Sequence, residues 1–393
     1  MLHTLRRGPD LLGYVAIDST VAGRARGGLR LLPDVAAPEL EQAARAMTLK
    51  YGFLGLPQGG AKAGVLADPE DELAVRRARL HDFGLAAEDL LRERRYLPDS
   101  DMGTSAGDIR WMLESLAIPV GTRDWRHERS GEYTATSCLA AARAVLAHRG
   151  ANLAGSSVAI EGFGRVGSAL ARQMHAAGAT LVAVSTSRGA LYQRAGLDVP
   201  RLLALAAEVG SSLVERYPDA ERLPRQELLE LPVTLLCPCA RRHSIHAGNV
   251  ARVAARFVCS GANDPIAPEA EAALWKRGVS YPPDFISNCG GVLGGTLDFA
   301  GVARQRAQAL IERVVEPAVT RLLADAERLA TMPRTIAEPL ALARHARVRA
   351  AAEQPGLAGR AVSLGLEWYR RGLLPSALVG ALAAGYIERR LRA

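Results

Sequence analysis

The sequence predicts an α/β protein built from two domains. Its 393 residues exceed the roughly 250 to 300 at which a single hydrophobic core stops growing. Glycine-punctuated, strand-like segments open the chain, and strands alternate with helices from about Tyr133 to Ser280. Such alternation predicts a parallel sheet covered by helices on both faces. The composition, 49% hydrophobic and 23% charged, excludes a disordered or collagen-like chain.

The chain is basic, and its positive charge comes almost wholly from arginine. There are 49 Lys plus Arg residues against 41 Asp plus Glu, a formal charge of +8. Three of the 49 are lysines (Lys50, Lys62 and Lys276), which leaves 46 arginines. Because the arginines are interleaved with acidic residues, we expect a solvated surface and no nucleic-acid partner. A nucleic-acid interface on the Arg-rich tail is the alternative.

Helices and loops can be placed along the first part of the chain. Residues 11–32 are strand-like, residues 38–49 have apolar side chains at helical spacing, and residues 70–92 fit a longer amphipathic helix. Two segments rich in glycine and functional atoms, 56–64 and 96–103, are predicted as loops.

A glycine-rich turn in the second part predicts a Rossmann-type dinucleotide-binding domain. A strand over 157–160 leads into a G-x-G-x-x-G turn, a helix over 168–177 follows, and a second strand covers 180–184. In this context the first glycine makes the tight turn, the second admits the pyrophosphate, and the third lets helix and strand pack closely. The turn consists of Gly162, Phe163, Gly164, Arg165, Val166 and Gly167.

The end of the second strand bears on the choice between NAD and NADP. The position expected to hold a carboxylate for the ribose 2'-hydroxyl is occupied by Ser185-Thr186-Ser187-Arg188. Hydroxyls and a cation, here Thr186 and Arg188, can accommodate a 2'-phosphate, which favours NADP. NAD stays possible, because Arg188 could be one more solvent-exposed arginine.

Two of the three lysines lie twelve positions apart in one glycine-rich stretch. Lys62 is flanked by small residues, and a lysine desolvated in such a pocket has a lowered pKa and can polarise a carbonyl or activate water. Lys50 follows a predicted helix and can face the same segment as a fixed positive charge. Asp101 is the complementary carboxylate. The alternative is that both lysines are surface charges.

The residues around these lysines resemble the signature of the glutamate/leucine/phenylalanine/valine dehydrogenase superfamily. The segment is Lys50-Tyr-Gly-Phe-Leu-Gly-Leu-Pro-Gln-Gly-Gly-Ala-Lys62-Ala-Gly. The similarity covers roughly residues 11–292. Its further landmarks, in family order, are Ala25-Arg-Gly-Gly-Leu-Arg30, Pro98-Asp-Ser-Asp-Met-Gly-Thr104, the Gly162 turn, Cys237-Pro-Cys-Ala240, Gly261-Ala-Asn-Asp-Pro265 and Pro283-Asp-Phe-Ile-Ser-Asn-Cys-Gly-Gly-Val292.

The resemblance implies reversible, NAD(P)-dependent oxidative deamination of an L-amino acid to a 2-oxo acid and ammonium. It implies that Lys50 holds the substrate carboxylate, that Lys62 activates water and stabilises the oxyanion, and that Asp101 moves protons to and from the amino nitrogen. Further implied positions are Gly59, Gly60 and Asn288 at the substrate, the last in a loop that closes a cleft, and Thr134, Ala240 and Asn263 at the nucleotide.

Three departures from the family pattern concern the substrate side chain. Arg26 occupies the position of a lysine that contacts the side-chain carboxylate in glutamate dehydrogenases, and Gly295 the position of the serine that assists it. Asp99 adds an acidic group beside Asp101. Arg26 could still bind an acidic side chain, whereas Gly295 enlarges the pocket. We therefore expect a bulkier or differently charged amino acid than glutamate.

The resemblance also organises the domains. We expect residues 1–130 and about 326–393 to form a catalytic and oligomerisation domain, residues 131–325 to form the Rossmann domain, and a cleft to separate them. The resemblance implies a homo-oligomer. The chain has no predicted signal peptide or membrane span, so we expect a cytoplasmic protein without a membrane partner.

We expect no catalytic or metal-binding role for the cysteines or for the two histidines of the H-x-x-H segment. We expect the five cysteines to be reduced and structural, and we expect no metal at His243 and His246, because no further ligand is placed near them. A catalytically drifted nucleotide-binding sensor of the same fold is the alternative to an enzyme.

Overall fold

The computed structural model, which describes residues 1–121 and 129–392, divides the chain into two compact units. The first unit comprises Met1–Glu128, Asp298–Val302 and Leu340–Ala393, and the second comprises Arg129–Leu297 and Ala303–Pro339. Each unit contains a β-sheet with helices packed on it. The predicted α/β class with two domains is confirmed.

A mixed five-stranded sheet forms the centre of the first unit. The strands are β1 (Leu2–Arg7), β2 (Asp10–Ile17), β3 (Ala25–Leu32), β4 (Gly59–Leu66) and β5 (Tyr96–Ser100). Their order is β1-β2-β4-β3-β5, and β3 runs parallel to both β4 and β5. The strand β2 pairs antiparallel with β1 and β4.

Two predicted loops are strands, so this part of the prediction was wrong. The segment 56–64 contains the start of β4, and the segment 96–103 contains β5. The glycines of β4 lower its apparent strand propensity, but the close packing of neighbouring elements requires residues without a side chain there. A Cβ on Gly60 would lie 2.3 Å from the Thr48 hydroxyl oxygen, and one on Gly13 would lie 2.0 Å from the Gly64 carbonyl oxygen.

Four helices accompany this sheet. They are α1 (Ala37–Leu54), α2 (Leu73–Ala86), α3 (Glu88–Arg92) and α4 (Ala106–Ser115). The single helix predicted over 70–92 was wrong, because Ala87 leaves helical geometry at φ −102° and ψ 9° and separates α2 from α3. The helix α1 is longer than predicted and includes Lys50.

The two faces of the sheet differ in character. One face is apolar and packs against α2 and α4, with Leu29 and Val65 among its buried residues. The other face packs against α1, since a Cβ on Gly64 would meet Val35 at 2.4 Å and Leu40 at 3.3 Å. Because side chains alternate along a strand, Lys62 shares this second face with Gly64.

The second unit is built on a six-stranded sheet. Its strands are β6 (Ser157–Glu161), β7 (Thr180–Thr186), β8 (Gly189–Tyr192), β9 (Glu221–Leu223), β10 (Leu235–Pro238) and β11 (Phe257–Val258). The order is β11-β10-β6-β7-β8-β9. The predicted parallel sheet is found in β11, β10, β6 and β7, whereas β8 and β9 extend it in antiparallel fashion.

Eight helices follow the chain through this unit. They are α5 (Ser130–His148), α6 (Arg165–Ala176), α7 (Val199–Val209), α8 (Leu213–Arg216), α9 (Pro268–Lys276), α10 (Asp284–Ser287), α11 (Gly290–Phe299) and α12 (Arg304–Arg328). The helices α13 (Pro333–Glu353), α14 (Leu357–Arg370) and α15 (Ser376–Arg392) complete the chain. No helix within the described ranges is long and apolar enough to cross a membrane.

Glycines allow α11 to lie directly against α5. A Cβ on Gly290 would lie 1.9 Å from the Tyr133 carbonyl oxygen, and one on Gly294 would lie 2.1 Å from the Tyr133 ring. The Gly290 N–H also donates to the Ser137 hydroxyl at 2.9 Å. By contrast, a Cβ on Gly295 would meet no atom within 4 Å.

Alanine substitution at these adjacent glycines should have opposite effects on stability. We expect Gly294→Ala to lower the free energy of unfolding by about 1 to 3 kcal/mol, because its methyl group would overlap the Tyr133 ring. Gly295→Ala should be neutral or raise it by up to about 1 kcal/mol, since alanine favours helix over glycine. Urea unfolding measures both, and equal effects would contradict the packing described.

Candidate active site and nucleotide site

A buried ion pair joins the strand β4 to the residue that follows β5. The Lys62 ammonium contacts the Asp101 carboxylate, and the two side chains are only 5% and 18% exposed. The register that pairs Arg26 with Gly60 sets Lys62 opposite Gly28 on β3. A Cβ on Gly28 would lie 2.7 Å from the Asp101 Cβ and 3.1 Å from the Lys62 Nζ. The absence of a side chain at Gly28 therefore lets the pair form across β3.

Arg30 is a third member of this cluster, and the sequence reasoning missed it. Its Nε donates to Asp101 Oδ2 at 2.9 Å, and its guanidinium also pairs with Glu39 of α1. Arg30 is 9% exposed, far less than expected of a surface arginine. The available signal was its position two residues after Gly28, which places it on the Lys62 face of β3.

Burial and charge set the protonation of this cluster. Burial lowers the pKa of the Lys62 ammonium, and the nearby Arg30 charge acts in the same direction against the opposing effect of Asp101. Burial opposes ionisation of Asp101, but Lys62 and Arg30 outweigh it and hold the pKa of that carboxyl well below its usual range. Asp101 is therefore ionised, and Lys62 releases its proton more readily than an ordinary lysine.

The other substrate-side predictions also fall in the first unit. Lys50 lies in the last part of α1 and is 5% exposed, so it is not a surface charge. A Cβ on Gly59 would lie 2.2 Å from the Ser19 carbonyl oxygen, so packing alone already requires glycine at that position. Arg26 and Asp99 form an ion pair of 3.5 Å with side chains 33% and 43% exposed. The charge of Arg26 is thus balanced within the protein.

The predicted nucleotide turn has the geometry that a pyrophosphate requires. Gly162 has φ +88°, and a Cβ there would lie 2.8 Å from the Ala240 Cβ. A Cβ on Gly167 would lie 1.9 Å from the Gly162 carbonyl oxygen, so helix and strand approach closely. At Gly164 no atom lies within 4 Å of a built Cβ, which leaves space beside the N-terminus of α6. The residues present therefore fit a dinucleotide.

The three other residues of the turn differ in burial and in secondary structure. Phe163 is 8% exposed, whereas Arg165 and Val166 form the first turn of α6, with Arg165 exposed. A Cβ on Gly261 would lie 3.0 Å from the Val166 side chain, which shows that the loop after β11 lies against this turn.

A short turn joins the end of β7 to β8, and its polar groups form hydrogen bonds and an ion pair with other residues of the chain. The Gly162 N–H donates to the Ser185 hydroxyl at 3.0 Å. The Thr186 hydroxyl donates to the Ser211 carbonyl at 2.8 Å and accepts from the Arg188 N–H at 3.2 Å. The Arg188 guanidinium lies 3.3 Å from Glu215, and both side chains are more than half exposed. Arg188 can therefore leave this pair at little cost.

Asn263 and Asn288 are brought together in the second unit. Asn288 Nδ2 donates to Asn263 Oδ1 at 3.0 Å and to the Ala262 carbonyl at 2.7 Å. Its Oδ1 is buried without a hydrogen-bond partner in the part of the chain that the structure describes. Thr134 lies in the first turn of α5, where a Cβ on Gly291 would come within 2.7 Å of its hydroxyl oxygen.

Glu161 is a second residue that the sequence reasoning missed. It ends β6 directly before Gly162 and is 4% exposed. Burial raises the pKa of its carboxyl to about 7, against the opposing effects of a Ser244 hydrogen bond and two arginines. The available signal was an acidic residue ending an otherwise apolar strand beside the nucleotide turn.

The thiols and histidines have structural surroundings. Cys138 and Cys259 are buried with their sulfurs 3.7 Å apart, and none of the five cysteines, all within the described ranges, forms a disulfide. His243 lies 3.2 Å from Asp264, and His246 accepts from the Gly248 N–H at 3.1 Å. Among the residues described, no group of three or more His, Cys, Asp or Glu could hold a metal.

Comparison with known proteins identifies the class. Residues 127–353 match the family Glutamate/Leucine/Phenylalanine/Valine dehydrogenase, and residues 8–117 match the Glu/Leu/Phe/Val dehydrogenase dimerisation domain. The chain therefore belongs to this family of amino-acid dehydrogenases, as its sequence signature predicted, and is an oxidoreductase.

Several relatives are glutamate dehydrogenases. The chain is 35% identical to that of Thermotoga maritima, over 71% of this chain and 70% of the relative. It is 32% identical to the NADP-specific glutamate dehydrogenase A1 of Halobacterium salinarum, over 75% of this chain and 73% of the relative. The NAD-specific glutamate dehydrogenase A of the same organism is 31% identical, over 77% and 71%.

Solved structures share the fold. The hetero-hexameric glutamate dehydrogenase of Thermus thermophilus, in a Leu-bound form, superimposes with a TM-score of 0.77 at 26% identity, covering 91% of this chain and 89% of that one. The L-tryptophan dehydrogenase of Nostoc punctiforme gives a TM-score of 0.61 at 22% identity, covering 89% and 96%.

Glu161→Gln should make folding stability less sensitive to pH. Because the folded-state pKa of Glu161 is raised from 4.5 to about 7, the folded protein holds this proton more tightly than the unfolded chain, and its stability falls as pH rises between those values. The free energy of unfolding of the variant, relative to that of wild type, should rise by roughly 3 kcal/mol between pH 4 and pH 8. Urea unfolding at both pH values measures the gain.

The exposed Glu208 of α7 provides the control for this experiment. Glu208→Gln should change stability little at either pH, because a solvated carboxylate interacts weakly with its surroundings. A Glu161→Gln effect that is equal at both pH values would contradict burial of an ionisable carboxyl at this position.

Proposed function

We propose that this protein catalyses the reversible, NAD(P)-dependent oxidative deamination of an L-amino acid to a 2-oxo acid and ammonium. The observation that carries the proposal is the buried Lys62–Asp101 pair, held by Arg30 in a chain whose second unit contains an open Gly162 turn. The burial of this pair distinguishes it from ordinary surface ion pairs, which are solvated and contribute little to stability.

Each buried charge has a role in the proposed reaction. Lys50 binds the substrate carboxylate, and Lys62, with its lowered pKa, activates the attacking water and stabilises the developing oxyanion. Asp101, in contact with Lys62, has the position of the residue that moves protons to and from the amino nitrogen in the resemblance described above. When bound, the nicotinamide supplies the acceptor for the hydride from the α-carbon.

The dinucleotide is assigned to the second unit. Gly162, Gly164 and the N-terminus of α6 bind the pyrophosphate, and Ala240 lies beside Gly162. Asn263 and Thr134 bind the nicotinamide carboxamide. We favour NADP, because the weakly held Arg188 offers a cation where a carboxylate would repel a 2'-phosphate. Thr186 supports the turn that carries Arg188, since its hydroxyl oxygen accepts the Arg188 N–H. The relatives include both NADP-specific and NAD-specific enzymes.

We propose a substrate side chain bulkier than that of glutamate. The Arg26–Asp99 pair supports this, because an acidic side chain would have to displace Asp99 to reach Arg26. The open space at Gly295 supports it too, since the resemblance assigns that residue to the substrate side chain and no atom lies within 4 Å of a built Cβ. Asn288, with its buried and unpartnered Oδ1, is assigned to the substrate site.

We also propose that the protein forms a homo-oligomer through its first unit. The match of residues 8–117 to a dimerisation domain supports this, as does the hexameric assembly of the Thermus thermophilus enzyme. A drifted nucleotide sensor is not favoured, because a sensor has no use for the buried Lys62–Asp101 pair.

Absorbance at 340 nm tests the reaction directly. Purified protein, given NAD or NADP with a panel of L-amino acids, should reduce the dinucleotide. We expect kcat/KM to be higher for amino acids with bulky side chains than for glutamate. We also expect kcat/KM to be higher with NADP than with NAD. Preference for glutamate would contradict the roles given to Asp99 and Gly295. Equal efficiency with both dinucleotides would contradict the role given to Arg188.

Lys62→Met separates an enzyme from a sensor. We expect kcat to fall by roughly 10²- to 10⁴-fold while dinucleotide affinity, measured by calorimetry, is retained, because the water-activating amine is lost. Lys276→Met, at the exposed end of α9, is the matched control and should keep wild-type turnover. Turnover by Lys62→Met at the wild-type rate would contradict the proposed role of Lys62.

A further inference from the structure

A buried ion network begins at the first turn of α13. Arg334 donates from Nε and Nη2 to the two carboxylate oxygens of Glu271, each at 2.8 Å, and from Nη2 to Asp284 Oδ1 at 2.7 Å. Glu271 and Asp284 are 5% and 4% exposed, and the guanidinium carbon lies 5.9 Å from the centre of the Phe285 ring. Arg334 therefore fixes the direction of the Asp284 carboxylate at the start of α10.

Asp284 connects this network to the loop after β11. Its Oδ2 accepts the Asp264 N–H at 2.9 Å. The Asp264 carboxylate accepts from Arg242 Nε at 2.7 Å, and its carbonyl accepts the His243 N–H at 2.9 Å. Asp264 and His243 have φ values of +49° and +50°, which residues with a Cβ rarely adopt. The network thus holds a strained loop in one conformation.

Asn263 and Asn288 are the neighbours of these linked residues. Asn263 precedes Asp264, and the Asn288 N–H donates to the Asp284 carbonyl at 2.9 Å. The two asparagine side chains meet at 3.0 Å. A shift of Asp284 would therefore move the anchor of both asparagines at once.

Stability alone gives a poor account of this arrangement. The desolvation of a buried ion pair offsets most of its attraction, and apolar packing of similar volume is often as stable. Backbone strain at non-glycine residues concentrates at binding and catalytic sites. A bidentate arginine adds geometric specificity, because two parallel N–H···O bonds fix the direction of the carboxylate.

We propose that Arg334 and Asp284 are positioning residues, which hold the Asp264 N–H and thereby fix Asn263 for the nicotinamide end of the dinucleotide. Asn288, which is assigned to the substrate site, contributes by donating to Asn263 Oδ1. The inference rests on the proposed function, which assigns Asn263 to the nicotinamide carboxamide. It predicts that the network affects the nicotinamide half of the cofactor and leaves the adenosine half unaffected.

Asp284→Asn tests this with paired ligands. An asparagine cannot accept from both Arg334 and the Asp264 N–H without turning its NH2 group towards one of these donors. We expect NADPH to bind about tenfold more weakly, whereas 2'-phospho-ADP-ribose, which lacks nicotinamide, should bind within about twofold of wild type. Calorimetry on the full-length protein measures both, and NADH with ADP-ribose repeats the comparison.

Two further variants separate positioning from folding. Arg334→Lys keeps the positive charge but loses the fork, and it should reproduce the selective loss of NADPH affinity if Asp284→Asn fails to fold. Glu338→Gln is the matched control, because Glu338 lies 3.5 Å from Arg334 Nη1, whereas Asp284 accepts from Nη2. It should leave the affinity ratio of NADPH to 2'-phospho-ADP-ribose at its wild-type value.

The outcomes distinguish the inference from the proposed function. An unchanged affinity ratio in folded Asp284→Asn or Arg334→Lys, with wild type binding NADPH more tightly than the fragment, would overturn the positioning role alone. Equal weakening of both ligands would assign the network a purely structural role and overturn it too. Wild type that binds NADPH no more tightly than the fragment would overturn both this inference and the assignment of Asn263.

Discussion

The first unit is organised by the need to bury an ammonium group. An isolated buried charge costs several kcal/mol, so Lys62 requires a carboxylate in contact with it and a backbone that brings the two together. Asp101 provides the carboxylate, Gly28 leaves the space across β3, and Arg30 holds Asp101 from the other side. The parallel pairing of β3 with both β4 and β5 follows from the same requirement, because it places all these residues on one face.

The second unit meets a complementary requirement in the proposed function, which is the close approach of backbone to an anionic dinucleotide. Gly162 and Gly167 are required by contacts within the protein, whereas Gly164 faces open space. On α11, Gly294 packs on Tyr133, whereas a Cβ built on Gly295 would have no described atom within 4 Å. Glycines of the first kind are required by packing, and the proposed function assigns those of the second kind to ligand binding.

The sequence predicted the fold class, the nucleotide turn and the partnership of Lys62 with Asp101, because each depends on local pattern or on residue types that are rare in this chain. It missed the strands β4 and β5, whose pairing is non-local and whose glycines resemble loop sequence. Arg30 and Glu161 were also missed, since their positions near Gly28 and Gly162 are weak signals among 46 arginines and 41 acidic residues, whereas the structure shows that both are buried. The Arg334 network joins residues 50 and 63 positions apart, beyond the reach of any spacing rule.

The central claim is that Lys62 is a desolvated lysine whose proton is held less tightly than usual. Because the chain has three lysines, protein labelled with ¹³C,¹⁵N-lysine gives three side-chain signals, which can be assigned by substitution and followed through a pH titration. We predict that Lys62 titrates below its ordinary pKa of 10.5, and that Asp101→Asn lowers this pKa further by removing the carboxylate that opposes the shift. A Lys62 pKa at or above 10.5 in the wild-type protein would contradict the account.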